Sequence, residues 1–241
     1  MTHYFLTGAS AGIGAALATR LCENGQRVSA VARRDDRLAT MATKLPGFWS
    51  AGCDVTMANQ LAESVAAAEN AQGSIDVAIL NAGIYQPQDG SAIDPAIYAN
   101  HMEVNYMGVV NALAAIVPRM IARGGGHIVI ISSVAGWRGL PKSAAYGPTK
   151  AALISLAESL HFDLQPKGVR LQVICPGFVE SEATAVNDFE MPGLMTADAA
   201  AQAIIDAMAK NDFLVHFPQV CLFLLVFLPT PTSVNLPLDI P

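Results

Sequence analysis

The sequence is poor in charge, and the charge it has is of the wrong sign for nucleic acid. Lys and Arg number 14 against 20 Asp and Glu, a formal net charge of −6 with only 14% of residues charged. A polyphosphate backbone therefore finds no basic stripe, and no nucleic-acid partner is expected. A disordered tail is excluded too, because 52% hydrophobic residues supply enough apolar surface to offset the entropy of folding. Metal-ligand spacing is missing: Cys22, Cys53, Cys175 and Cys221 include no CxxC pair, and the five histidines no HxxxH pair. Buried reduced thiols are expected instead of a metal site. The residues before Tyr4-Phe5-Leu6 hold no basic and apolar leader, which with the scattered thiols gives the expectation of a reducing cytoplasm. The apolar run 220–228, nine residues ending at Pro229, falls short of the roughly 20 residues of a transmembrane span.

What is present is alternation. Short apolar runs at 3–6, 27–31, 75–80, 126–132 and 169–175 read as strands, and 12–24, 56–71, 97–123 and 146–165 as helices between them. Strands alternating with helices of this length predict a parallel sheet covered on both faces, and runs such as His-Ile-Val-Ile-Ile suit strands buried on both sides. No shift of composition marks a second domain, so 1–241 is read as one unit. Within it, 181–211 directly follows a strand end and is expected to be a substrate loop or lid. The segment 217–241 is expected to be an apolar C-terminal element packed on the core or a partner subunit, with peripheral membrane contact by 220–228 as the alternative.

Three groups of residues carry chemistry. Thr7-Gly8-Ala9-Ser10-Ala11-Gly12-Ile13-Gly14 ends the first strand and opens the first helix, where glycines let the backbone turn tightly against a pyrophosphate. Tyr146-Gly147-Pro148-Thr149-Lys150 sets a phenol and an ammonium on one helix face, with Pro148 tolerated in the first turn. A cation beside the phenol stabilises the phenolate, as a general acid/base requires. Ser133 stands thirteen residues before Tyr146, so both reach the carboxyl ends of neighbouring strands, where such sheets bind ligands.

With Asn81-Ala82-Gly83, the Asn of Val104-Asn105-Tyr106, Ile131-Ser132-Ser133 and Pro176-Gly177 in the same order, the chain resembles the short-chain dehydrogenase/reductase family over roughly residues 3–182. The resemblance implies a doubly wound Rossmann fold with about seven strands in the order 3-2-1-4-5-6-7. It implies hydride transfer between a nicotinamide and a carbonyl or secondary alcohol. Tyr146 becomes the proton donor in reduction and acceptor in oxidation. Lys150 lowers its pKa and holds the nicotinamide ribose. Ser133 binds the substrate oxygen, and Asn105 holds a water connecting Lys150 to solvent. Beside Gly8, Ser10, Gly12, Ile13 and Gly14, the resemblance gives the cofactor Asp54 and Val55 at the adenine, and Asn81, Ala82 and Gly83 along the adenosine. Pro176, Gly177, Val179 and Ser181 follow at the nicotinamide, with Ser181 standing where Thr is more usual. For Asp54 a plain capping role near Thr56 competes.

Cofactor choice turns on the end of the second strand, Val31-Ala32-Arg33-Arg34. An acid there would accept from a ribose 2′-hydroxyl and repel a 2′-phosphate. Ala32 holds the acid's place and Arg33 offers a phosphate-matching fork, so NADP(H) is expected, with NAD(H) the alternative. Arg34 is either a second phosphate ligand or a solvated helix-start charge. Trp137, Arg138, Leu140 and Pro141 follow Ser133, and Tyr85 follows Gly83. They predict an aromatic and aliphatic wall for a small carbonyl or alcohol, with Trp137 against a neighbouring subunit as the competing placement. Small apolar residues on the helices bearing Asn105 and Lys150 suit a homodimer or homotetramer. The rival function is a nucleotide-sensing module on the same fold, without turnover.

Overall fold

A computed structural model describes residues 1–218. The run 220–228 and the rest of the C-terminal segment from 219 onward, including Cys221, lie outside the described residues. Seven strands, β1 (His3–Thr7), β2 (Arg27–Ala32), β3 (Phe48–Gly52), β4 (Val77–Leu80), β5 (Gly126–Ile131), β6 (Val169–Pro176) and β7 (Leu214–Phe217), form one sheet in the order β3-β2-β1-β4-β5-β6-β7. Every ladder is parallel. This is the expected Rossmann order. The chain runs outward from β1 to β3, then restarts at β4 on the other side, which opens a crevice above the carboxyl ends of β1 and β4.

Period-two alternation splits the core into two layers. Phe5, Ile128 and Ile130 point to one face and their neighbours Leu6, Val129 and Ile131 to the other, as consecutive strand residues must. On the first face lie α3 (Ala58–Gln72), α5 (Gly108–Ala122) and α6 (Gly147–Leu164), through Leu61, Leu113, Ile116 and Leu153. On the second lie α1 (Gly12–Glu23), α2 (Asp35–Ala42) and α7 (Ala197–Met208), through Leu17, Leu38 and Ile204. Asp35 and Asp36 in the first turn of α2 complement its positive helix end.

The helix read at 97–123 is observed as α4 (Pro95–Met102), a π-helical turn (Glu103–Met107) and α5. This run is long and apolar enough to span a bilayer by length and composition alone. Here it packs one face on the sheet through Val109, Ala112 and Met120, all buried. The second half of the stretch 181–211 is not loop but α7, capped by the Thr196 hydroxyl accepting from Ala199 N–H at 3.1 Å. Cys22, Cys53 and Cys175 are buried free thiols.

Candidate active site

A cleft of about 1340 Å³ lies along the crevice, lined at one end by Gly8, Ser10, Gly12 and Ile13 and at the other by Ser133, Tyr146 and Lys150. Its first end is built by the absence of side chains. Gly8 and Gly12 take positive φ of 74° and 52°. A Cβ on Gly8 would lie 2.7 Å from Ala82 Cα, and one on Gly14 2.2 Å from the Gly8 carbonyl oxygen. Gly14 does not line the cleft; it lets α1 close onto the Gly8 carbonyl and the Asn81 side chain. Asn81 holds the same turn, donating from Nδ2 to the carbonyls of Thr7 and Gly8 at 3.2 Å each. Ala11 gives α1 no side-chain cap, so the first-turn amides suit an anion. A glycine cradle, an uncapped helix start and a long groove fit a dinucleotide.

Ala82, Gly83, Asp54 and Val55 also line the cleft, as do Pro176, Gly177, Val179 and Ser181. Asp54 is already engaged in a local turn: its Oδ1 accepts from Thr56 N–H at 3.0 Å and Thr56 Oγ1 at 2.8 Å, but it does not cap α3, whose N-cap is Met57. Ser181 Oγ accepts from Thr184 N–H at 3.2 Å. Arg33 is exposed and lines the cleft. Arg34 donates from Nε to Ser10 Oγ at 3.1 Å and pairs with Glu182 at 2.5 Å.

At the other end, Tyr146 is the residue preceding α6, with Pro148 in the first turn. The Ser133 hydroxyl stands near the phenol; it donates to the Pro176 carbonyl at 3.4 Å and accepts from Ala135 N–H at 3.1 Å. Lys150 is buried, donating to the Ile131 carbonyl at 2.9 Å, while its own carbonyl accepts from Ser132 Oγ at 2.8 Å. The expected lowering of the phenol does not follow from this arrangement. Burial pushes Tyr146 up to about 12, partly opposed by the nearby Ser133 hydroxyl. Burial likewise pulls Lys150 down to about 8. The ammonium stands 5.5 Å from the ring centroid with its hydrogen bond aimed at a strand carbonyl, so desolvation outweighs its attraction. At neutral pH the phenol holds its proton.

Asn105 is fully buried in the π turn and does not line the cleft. Its Oδ1 accepts from Ile84 N–H at 2.7 Å, and its Nδ2 donates to the Ile84 carbonyl at 3.0 Å and Thr149 Oγ1 at 3.1 Å. It clamps the chain after β4 to the start of α6. Trp137 does not line the cleft either; it packs on the core and stands edge-on to His216 of β7, centroids 5.1 Å apart. Of the expected wall, Tyr85, Leu140 and Pro141 line the cleft; Tyr85 stands edge-on to Tyr146 at 5.2 Å, and Phe178 and Phe189 join them.

The loop between β6 and α7 crosses the cleft and is tied at both ends. Glu182 pairs with Arg34 and with Arg37 at 2.6 Å, and Asp188 with Lys142 at 2.6 Å. Between them Tyr85 OH donates to Asn187 Oδ1 at 3.2 Å. Glu182, Asn187 and Asp188 carry no local sequence signal, since their partners lie 46 to 148 residues away.

The parallel sheet with its reversed strand order and the cleft at that reversal define an α/β protein of the Rossmann type. A family model described as short chain dehydrogenase matches residues 2–190, and the chain belongs to that family of oxidoreductases, whose fold binds NAD(P). It is 36% identical over 220 residues to an uncharacterized oxidoreductase of Myxococcus xanthus, covering 88% of this chain and 86% of that protein. It is 30% identical over 187 residues to dehydrogenase/reductase SDR family member 4 of Sus scrofa, 75% of this chain and 67% of that one. Among solved structures, the closed form of a serine dehydrogenase complexed with NADP+ superposes with a TM-score of 0.83 at 25% identity, covering 91% of this chain and 95% of the other.

Proposed function

We propose that the protein is an NADP(H)-dependent oxidoreductase that transfers a hydride between the nicotinamide and a carbonyl or secondary-alcohol substrate, with Tyr146 as general acid/base. The observation that carries this reading is the meeting of Ser133, Tyr146 and Lys150 at one end of the cleft whose other end is the glycine turn. A sensing module has no use for that set.

The nicotinamide, when bound, supplies or accepts the hydride. Tyr146 gives its proton to the substrate oxygen as reduction proceeds; in the empty site burial keeps the phenol protonated at neutral pH. Ser133 hydrogen-bonds the same oxygen, where a positioned donor is worth about 2–4 kcal/mol of barrier. Lys150 and Tyr146 hold the nicotinamide ribose, and Asn105 is a positioning residue for both. Asp54 and Val55 would hold the adenine, and Asn81, Ala82 and Gly83 the adenosine. Pro176, Gly177, Val179 and Ser181 hold the nicotinamide end. NADP(H) is preferred to NAD(H) because β2 ends at Ala32 with no acid and is followed by Arg33 and Arg34, which take the 2′-phosphate. The NADP+ held by the serine dehydrogenase supports the same choice. The apolar wall of Tyr85, Leu140 and Phe178 favours a small, partly apolar substrate. The buried free thiols suit a cytoplasmic setting, and exposed Met107 and Phe162 suit a homodimer or homotetramer.

Aldehydes, ketones and secondary alcohols assayed by nicotinamide absorbance with NADPH and NADH in parallel test the proposal. Turnover with NADPH in excess of NADH is expected; no turnover of any carbonyl or alcohol with either nucleotide refutes it.

A further inference from the structure

The loop carrying Glu182 does more than cover the cleft. Its carboxylate lies between two guanidinium groups, one oxygen on Arg34 Nη1 at 2.5 Å and the other on Arg37 Nη1 at 2.6 Å. Arg34 also donates from Nε to Ser10 Oγ at 3.1 Å, which fixes it at the edge of the glycine turn. Arg34, Ser10 and Glu182 line the same cleft. An anion gripped by two arginines beside the glycine turn, just past the end of β2, stands where a phosphate on the adenosine ribose would make the same charge-assisted bonds. Both pairs are solvent-exposed, with side-chain exposures of 42% and 44% for the arginines and 58% for Glu182. They are therefore weak enough to exchange, and a phosphate monoester brings about −1.5 to −2 of charge against the carboxylate's single one.

We propose that Glu182 is a cofactor-selectivity residue: it occupies on Arg34 and Arg37 the place of an adenosine 2′-phosphate, and a nucleotide bearing that phosphate binds by displacing it. The inference rests on the NADP(H) reading above. Glu182 lowers the affinity for the 2′-phosphorylated nucleotide and hardly touches nucleotides without the phosphate, so it narrows the preference that the arginines create. Because Glu182 sits on the loop over the cleft, the exchange also frees the adenosine end of that loop, while Lys142 and Asp188 keep hold of the other end.

The test is calorimetric binding of adenosine 2′,5′-bisphosphate and adenosine 5′-phosphate to the wild-type protein, Glu182→Gln, Asp188→Asn and Arg34→Ala. Glu182→Gln should bind the bisphosphate about 2- to 5-fold more tightly, the factor an exposed ion pair is worth, with the monophosphate unchanged. Asp188→Asn, which unties the other end of the loop, should leave the ratio of the two affinities at its wild-type value. An unchanged ratio in Glu182→Gln, or the same rise in Asp188→Asn, overturns the proposal while a wild-type preference for the bisphosphate that Arg34→Ala abolishes keeps the cofactor reading. A wild-type protein indifferent to the 2′-phosphate overturns both. Weaker binding of the monophosphate to Glu182→Gln overturns the proposal too, because Glu182 would then be accepting from a ribose hydroxyl.

Discussion

Replacing Asn105 by alanine separates the support of the active site from its chemistry. The side chain is fully buried and makes three hydrogen bonds, two to the backbone of Ile84 and one to Thr149. Thr149 keeps a second partner, the Tyr146 carbonyl at 2.7 Å, so the truncation strands chiefly the Ile84 N–H and C=O. Two unsatisfied groups cost about 1–3 kcal/mol each when fully buried. Because Ile84 is only half-buried, the loss falls in the lower part of the combined range, about 2–4 kcal/mol. For a chain of this length that is a fall of roughly 5–15 °C in Tm. Urea and thermal unfolding measure it, and hydrogen exchange at the Ile84 amide localises it. Tyr85, the next residue, stands edge-on to Tyr146, so turnover should fall even where the variant is fully folded. A change within about 0.5 kcal/mol, the range of an ordinary surface substitution, with Ile84 exchange unaltered, would refute the reasoning.

Three further outcomes are expected. Ser133→Ala should lower turnover about 10²- to 10³-fold, as loss of a positioned donor does, with nucleotide affinity by fluorescence titration unchanged. Gly14→Ala should abolish nucleotide binding, because its Cβ would fall 2.2 Å from the Gly8 carbonyl oxygen; a titration indistinguishable from wild type contradicts this. Lys150 carries its charge below a pKa of about 8, so nucleotide affinity in the free protein should decline as pH rises through 8, a limb that Lys150→Arg removes. In unfolding experiments the same group raises stability from pH 8 to about 10.4, where the unfolded chain alone still binds that proton. Tyr146, shifted upward, acts oppositely from pH 10 to 12.

The strand–helix alternation and several residues at the strand ends were legible because they depend on local patterns: apolar runs, a glycine turn, a phenol and an amine four residues apart. The strand order is not local and came from the family resemblance that those motifs carry. Three elements left little local mark. β3 is a half-buried edge strand, α2 is short with only Leu38 buried, and α7 hides its periodicity in alanines within what reads as loop. The sense of the Tyr146 shift was misread because spacing reports proximity and not burial, and here desolvation prevails over a cation 5.5 Å from the ring centroid. Trp137 looked like a pocket residue in an apolar loop, but β7 offers it His216 to pack on. Glu182 was invisible for a different reason: its meaning lies wholly in arginines 145 and 148 residues away, brought near by the sheet.

The central claim is that the phenol of Tyr146 exchanges the proton that accompanies hydride transfer. Its most direct test is single-turnover NADPH oxidation by Tyr146→Phe with a carbonyl that the wild-type protein reduces, alongside NADPH binding to the same variant. The account predicts a loss of about 10²- to 10⁴-fold in rate, the worth of a general acid, with the nucleotide still bound. A variant that oxidises NADPH at the wild-type rate contradicts it.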